Sequence, residues 1–95
     1  MLLLTSMAHK KLIETLQEHT HDPHLAIRIT LNCTSRPKNL DLVLDKEKSG
    51  DCVVKTRAGM NLLLIQATLA SRLDGFILDY EEIMDDFTLE EITRH

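Results

Sequence analysis

A chain of 95 residues, 43 % of them hydrophobic, fits a single small globular domain and not a disordered one. Phe76, Tyr80 and Phe87 are its only aromatics, so the core must be aliphatic, and a stacking platform for bases is excluded. The formal net charge of −4 leaves no basic stripe for phosphates, so nucleic acid is not an expected partner.

The opening Met-Leu-Leu-Leu is too short for a signal peptide or a membrane span, and Lys10 and Lys11 follow soon after. The two cysteines, Cys33 and Cys52, are too few for a disulfide scaffold. The expectation is a cytoplasmic protein with reduced thiols and no membrane association.

Residues 2–4 form a short apolar run, read as a strand. Thr5 and Ser6 offer N-cap oxygens. Ala8, Leu12, Ile13 and Leu16 then mark one face of a helix over 6 to 18 or 19, with Lys10, Lys11, Glu14, Gln17 and Glu18 largely opposite. The tract His19-Thr-His-Asp-Pro-His24 reads as a loop, because Pro23 and the Asp before it break regular structure.

Residues 25–45 carry the clearest pattern. Leu25, Ile27, Ile29 and Leu31 share one side of a strand; Ala26, Arg28, Thr30 and Asn32 share the other. That alternation predicts a half-buried strand with Cys33 at its end. Leu40, Leu42 and Leu44 repeat it, with Asp41 and Asp45 opposite. Between them lies a crossing over 34–39, where Pro37 can donate no ladder hydrogen bond. The rest of the chain is expected to cover or extend this hairpin.

Residues 46–51 read as a charged turn with Gly50, and 52–56 as a β-branched strand. After a turn at 57–59, the run from Met60 to Ile65 suggests a more central strand to about residue 66, with a helix over 62–73 as the alternative that periodicity also allows. A short helix over 67–73 ends at Asp74-Gly75. Residues 76–80 form the next strand, and 87–91 read as either a last strand or the start of a frayed acidic tail. The order predicts an α+β domain over 1–95, mostly β, with one N-terminal helix and one short helix packed on the sheet.

Several of these pieces resemble the HesB/IscA-like A-type iron–sulfur cluster assembly and carrier family. They are LLLTSMAHKKLIETL, AIRITL, LDLVLDKEKSGD, CVV, GMNLLLI and GFILDYEE, spread from Leu2 to Phe87. Thr5 and Ala8, Ile27 and Arg28, Gly50 and Asp51, and Gly75, Asp79 and Tyr80 follow the family's order. The resemblance implies the family's fold and a link to cluster biosynthesis. The family's ligands are a cysteine in the crossing and a Cys-Gly-Cys near the C-terminus. Here the crossing Asn32-Cys-Thr-Ser-Arg-Pro37 lacks the family's glycines, and the sequence to His95 carries no Cys-Gly-Cys. Registering on Leu40, Leu42 and Asp45 puts the family's first cysteine nearer Ser35 than Cys33.

The candidate cofactor-binding residues are therefore Cys33 and Ser35, and the candidate metal ligand is Cys33. The cofactor implied is iron or an iron–sulfur cluster. Such clusters usually take four thiolates, which one chain does not supply; a symmetric homodimer could pool two copies of Cys33, with or without a histidine. Cys33 also continues the parity of Ile27, Ile29 and Leu31, which suits a small core residue. Cys52, at a strand start, suits a buried or edge position, and its spacing from Cys33 matches no zinc pattern. His19, His21 and His24 are donors for a metal, but on a loop they read first as a solvated turn.

No phosphate loop surrounds the isolated glycines, and no nucleophile elbow surrounds a serine, so catalysis is not expected. The expected partners are other proteins, including iron–sulfur assembly factors or recipients. The competing reading is a cofactor-free interaction module. Asp79, Glu81, Glu82, Asp85, Asp86, Glu90 and Glu91 fall together with no basic residue among them, which would form a docking face for a basic partner.

Overall fold

The computed structural model describes residues 2–32 and 39–92. In chain order the elements are β1 (Leu3–Leu4), α1 (Ser6–His19), β2 (Leu25–Asn32), β3 (Asn39–Lys46), β4 (Cys52–Lys55), β5 (Asn61–Ile65), α2 (Ala67–Arg72), β6 (Phe76–Glu81) and β7 (Asp86–Glu91). The predicted α+β arrangement holds, and 87–91 is strand and not a frayed tail.

The strands do not all extend the central hairpin. The described strands form one four-stranded sheet, β3-β2-β5-β4, and a separate three-stranded sheet, β1-β6-β7. Of the two expected roles, β4 and β5 extend the sheet of residues 25–45, while β1, β6 and β7 form a sheet of their own that shares its core. The chain leaves the first sheet through α2, and Gly75, with φ of +83°, turns it into β6. β6 then pairs in parallel with β1 from the other end of the chain.

Helix α1 joins the two sheets. It begins where Thr5 accepts a hydrogen bond from the Ala8 N–H at 3.1 Å, the N-cap that the sequence announced. Its Ala8 and Leu12 are fully buried and pack in one cluster with Ile27, Ile29, Leu62 and Leu63 from the first sheet and Leu78 from the second. α2, whose residues are at most half-buried, contributes Leu69 and Ala70 to the edge of that cluster.

β5 is central, as its continuous apolar run predicts: Leu62, Leu63, Leu64 and Ile65 are all buried. β2 departs from its prediction. Alternation implies one wet face, yet Ala26, Ile27, Arg28 and Ile29 are all buried. β2 lies between β3 and β5, and the face opposite the main core carries Ala26, Arg28 and the paired Leu64. Arg28 is tolerated there because its charge is fully paired. The converse holds on β3, where Leu44 sits on the apolar parity but is 40 % exposed. An edge strand has no neighbour to cover it.

Candidate functional site

The site read from the sequence lies at the end of the β2–β3 hairpin. The two arms pair residue for residue from Leu25↔Lys46 to Asn32↔Asn39, with no break in the register. Cys33, Ser35 and the predicted turn around Pro37 fall on residues 33–38, outside the described residues. The structure defines the arms that deliver that segment.

Those arms are fixed by a charge cluster at their opposite end. The Arg28 guanidinium donates through Nε to Asp45 Oδ2 at 2.6 Å. It grips Asp51 bidentately, Nη1 to Oδ1 at 2.9 Å and Nη2 to Oδ2 at 2.6 Å. Nη2 also donates to the Lys46 carbonyl at 3.2 Å. Asp51 accepts a further bond from the Lys48 N–H at 2.7 Å, which closes the turn. Gly50 in that turn has φ of +87°, where a side chain would be strained.

The electrostatics follow from these contacts. The Arg28 hydrogen bonds hold the Asp51 carboxyl down at about 2, against an ordinary 3.8. Asp45 is lowered by Arg28 and then by the Lys46 N–H. Arg28 is raised, by Asp51 first, against the opposing effect of burial. The Asp51 side chain is 4 % exposed and that of Arg28 is 11 % exposed, so neither ion could stand there alone.

A second polar clamp ties the N-terminus to β6. Thr5 Oγ1 donates to Asp79 Oδ1 at 2.6 Å, while the Thr5 N–H donates to the Leu78 carbonyl at 3.0 Å. Asp79 also accepts from the Tyr80 N–H at 2.8 Å, and Thr5 then Tyr80 lower its pKa. The residues that carry the family resemblance are thus largely the residues that lock the fold: Thr5 with Asp79, and Arg28 with Asp51 beside Gly50.

Cys52 is an exposed free thiol at the start of β4. It pairs with Ile65, one residue beyond the last β2–β5 pair, Arg28↔Leu64. That puts it at the end of the sheet toward which β2 runs. β5 intervenes, so two strand spacings, about 10 Å, separate it laterally from β2. It lines an apolar groove of about 560 Å³ with Leu2, Val54, Ile65 and Ala70. The exposed edge position agrees with one of the two expectations for it.

Of the histidine tract, His19 is the last residue of α1, and His21 and His24 lie in the loop that leads to β2. The His19 ring donates from Nδ1 to the Thr15 carbonyl at 2.8 Å, capping the last turn of α1. Asp22 accepts from the His24 N–H at 2.9 Å, an Asx turn. Among the described residues no three His, Cys, Asp or Glu side chains converge as a metal-binding group, and no helix is long and apolar enough to cross a membrane.

One contact set escaped the sequence reading. Tyr80 donates its hydroxyl to Asp85, and the Lys11 ammonium stands 5.1 Å from the Tyr80 ring centroid. Tyr80 also meets Phe87 edge-on, with centroids 5.2 Å apart. The only available signal was that Tyr80 and Phe87 share parity on neighbouring strands. Lys11 comes from a helix far away in the sequence.

No family model matches the sequence, and no curated protein matches it. Solved structures do. Escherichia coli SufA, involved in biosynthesis of iron–sulfur clusters, superposes with a TM-score of 0.68 at 18 % identity, over 95 % of this chain and 84 % of that one. IscA with its [2Fe–2S] cluster superposes with a TM-score of 0.61 at 27 % identity, over 96 % of this chain and 85 % of that one. The chain has the fold of SufA and IscA, and its resemblance to the HesB/IscA-like proteins extends over nearly its whole length.

Proposed function

We propose that this protein works in iron–sulfur cluster biosynthesis, holding iron or a cluster weakly within a homodimer. The similarity to IscA with its [2Fe–2S] cluster, 27 % identical over 96 % of this chain, is the observation that carries the reading. Cys33 is the thiolate ligand, and Ser35 is the neighbouring oxygen donor. A cluster usually takes four thiolates. Cys52 stands across β5 from β2, so a two-fold axis that brings two copies of Cys33 together is the simplest way to pool ligands. Oxygen donors are harder and bind soft iron–sulfur units less firmly than thiolates do. Weak retention suits a protein that receives and gives up its cargo. The role is one of holding and release without catalysis, in the cytoplasm where thiols stay reduced, and the partners are assembly factors or recipients.

Anaerobic reconstitution of the wild type with iron and sulfide should give visible charge-transfer bands and bound iron. Cys33→Ala should lose most of both, and Ser35→Ala should bind with lower retention. A wild type that stays colourless and free of iron sinks this reading.

A second reading is favoured by the β6–β7 register. Asp79↔Thr88 and Glu81↔Asp86 are direct partners, as are Ile77↔Glu90. Opposed residues of a ladder share a face, so Asp79, Glu81, Asp86 and Glu90 lie on one face. That is an acidic surface for a basic protein partner, with or without cargo.

A further inference from the structure

The tip of the β6–β7 hairpin exposes its two largest apolar side chains. Ile83 is 93 % exposed and Met84 is 76 % exposed, the two highest values among the exposed large hydrophobics. A solvent-exposed pair of this size is uncommon at a turn, where Gly, Asn, Asp and Ser are the usual residues. It is also more than a loose loop. The Asp85 N–H donates to the Glu82 carbonyl at 3.3 Å, and Asp85 takes φ of 50°, the left-handed setting that closes a turn before β7. Tyr80 holds the Asp85 carboxylate from the strand below, with Lys11 over the Tyr80 ring and Phe87 against its edge. These contacts fix the turn and leave Ile83 and Met84 as its two central residues, facing solvent.

We propose that Ile83 and Met84 are the anchor of a protein-docking site, and that the partner presents an apolar stripe flanked by Lys or Arg. The proposal rests on the reading of β6–β7 as an acidic partner surface and adds to it the apolar contact. Charge complementarity identifies the partner. Glu81, Glu82, Asp85 and Asp86 flank the pair on both sides, and the hairpin from Phe76 to Glu91 holds no basic residue. Lys10 and Lys11 of α1 line a hollow of about 180 Å³ with Met7, Tyr80 and Glu82. The tip itself remains acidic. Anionic lipid and a second acidic tip are both repelled by it. A fixed turn loses little conformational entropy on binding, and methionine adapts to pockets of different shape. Two side chains cover far less than a standard interface, so the contact is a short-lived one.

The test uses an immobilised amphipathic helix of leucine and lysine, which offers an apolar stripe between basic flanks. Wild-type protein should bind it, with affinity falling several-fold between 50 and 200 mM salt, about what a few charge contacts give. Ile83→Ser/Met84→Ser should weaken binding roughly tenfold with unchanged circular dichroism, since both side chains are exposed. Glu81→Gln/Asp86→Asn/Glu90→Gln should weaken it and reduce the salt dependence. If the acidic variant loses binding and the serine variant keeps it, the apolar anchor is wrong and the acidic-surface reading stands. If neither variant changes binding, or wild type does not bind, both fall. Binding to phosphatidylcholine vesicles that depends on Ile83 and Met84 would reassign the tip to lipid and overturn the proposal.

Discussion

Arg28→Met is expected to destabilise the protein by about 2–3 kcal/mol. Breaking a buried ion pair by removing one partner commonly costs roughly 3–5 kcal/mol, because the other charge is left without compensation. The lower figure applies because the Asp45 end of this cluster is 28 % exposed and can recover water. A domain of this size has stability on the order of 5–10 kcal/mol, and each kcal/mol moves its Tm by about 4–8 °C. The expected drop in Tm is thus about 10–20 °C. Arg28→Lys keeps the charge but loses the bidentate grip on Asp51, so it should fall between the two.

The same cluster sets an acid dependence. Folding lowers the Asp51 pKa from 3.8 to about 2, so between those values the unfolded chain binds more protons. The stabilisation from Asp51 is complete above pH 3.8 and is lost as pH falls through about 2. Asp45 and Asp79 are lowered too and act in the same direction. Arg28 is raised above its already high ordinary value, so its contribution fails only at strongly alkaline pH. Urea melts of wild type at pH 7, 4, 3 and 2 should show a falling midpoint in the acid range, and Arg28→Met should flatten that fall. Equal midpoints for the two proteins at pH 7 would reduce the cluster to a set of surface pairs worth little.

Leu12→Ala should be at least as damaging, at about 3–4 kcal/mol. Leu12 is fully buried and packs α1 into the cluster shared by both sheets. Truncating such a leucine loses the transfer energy of its methyl groups and leaves a cavity that rigid sheets cannot close, about 2–5 kcal/mol in sum. The two sheets share no strand, so this helix face is a main contact between them. Met7→Ala on the same helix, at a 39 % exposed position, should change stability by no more than about 0.5 kcal/mol. Calorimetry on the two variants checks the contrast; a Leu12→Ala protein that melts like wild type would refute the packing described.

Much of the architecture was legible because local chemistry agrees with the fold. Thr5 before an apolar stripe at helical spacing gave α1, and the alternation over 25–45 gave β2, β3 and their pairing. The second sheet was not legible, because β1 is only Leu3–Leu4 and its partner β6 is contributed from the far end of the chain. Nor was the burial of Arg28, since an arginine at a polar parity reads as solvent-facing until Asp45 and Asp51 are known to meet it. The candidate site divides in the same way. Sequence named Cys33 and Ser35, and the structure fixes the hairpin arms and the clamps that hold them. Nothing in the sequence marked Ile83 and Met84, because exposure at a turn has no periodic signature.

In the proposed function, the segment between β2 and β3 carries iron–sulfur cargo across a dimer. Size-exclusion chromatography of the anaerobically reconstituted protein, with light scattering and iron and sulfide analysis on each fraction, tests it most directly. The account predicts iron and sulfide eluting together at the mass of two chains, and both lost with Cys33→Ala. Iron-free protein at the mass of one chain, in wild type and variant alike, would contradict it.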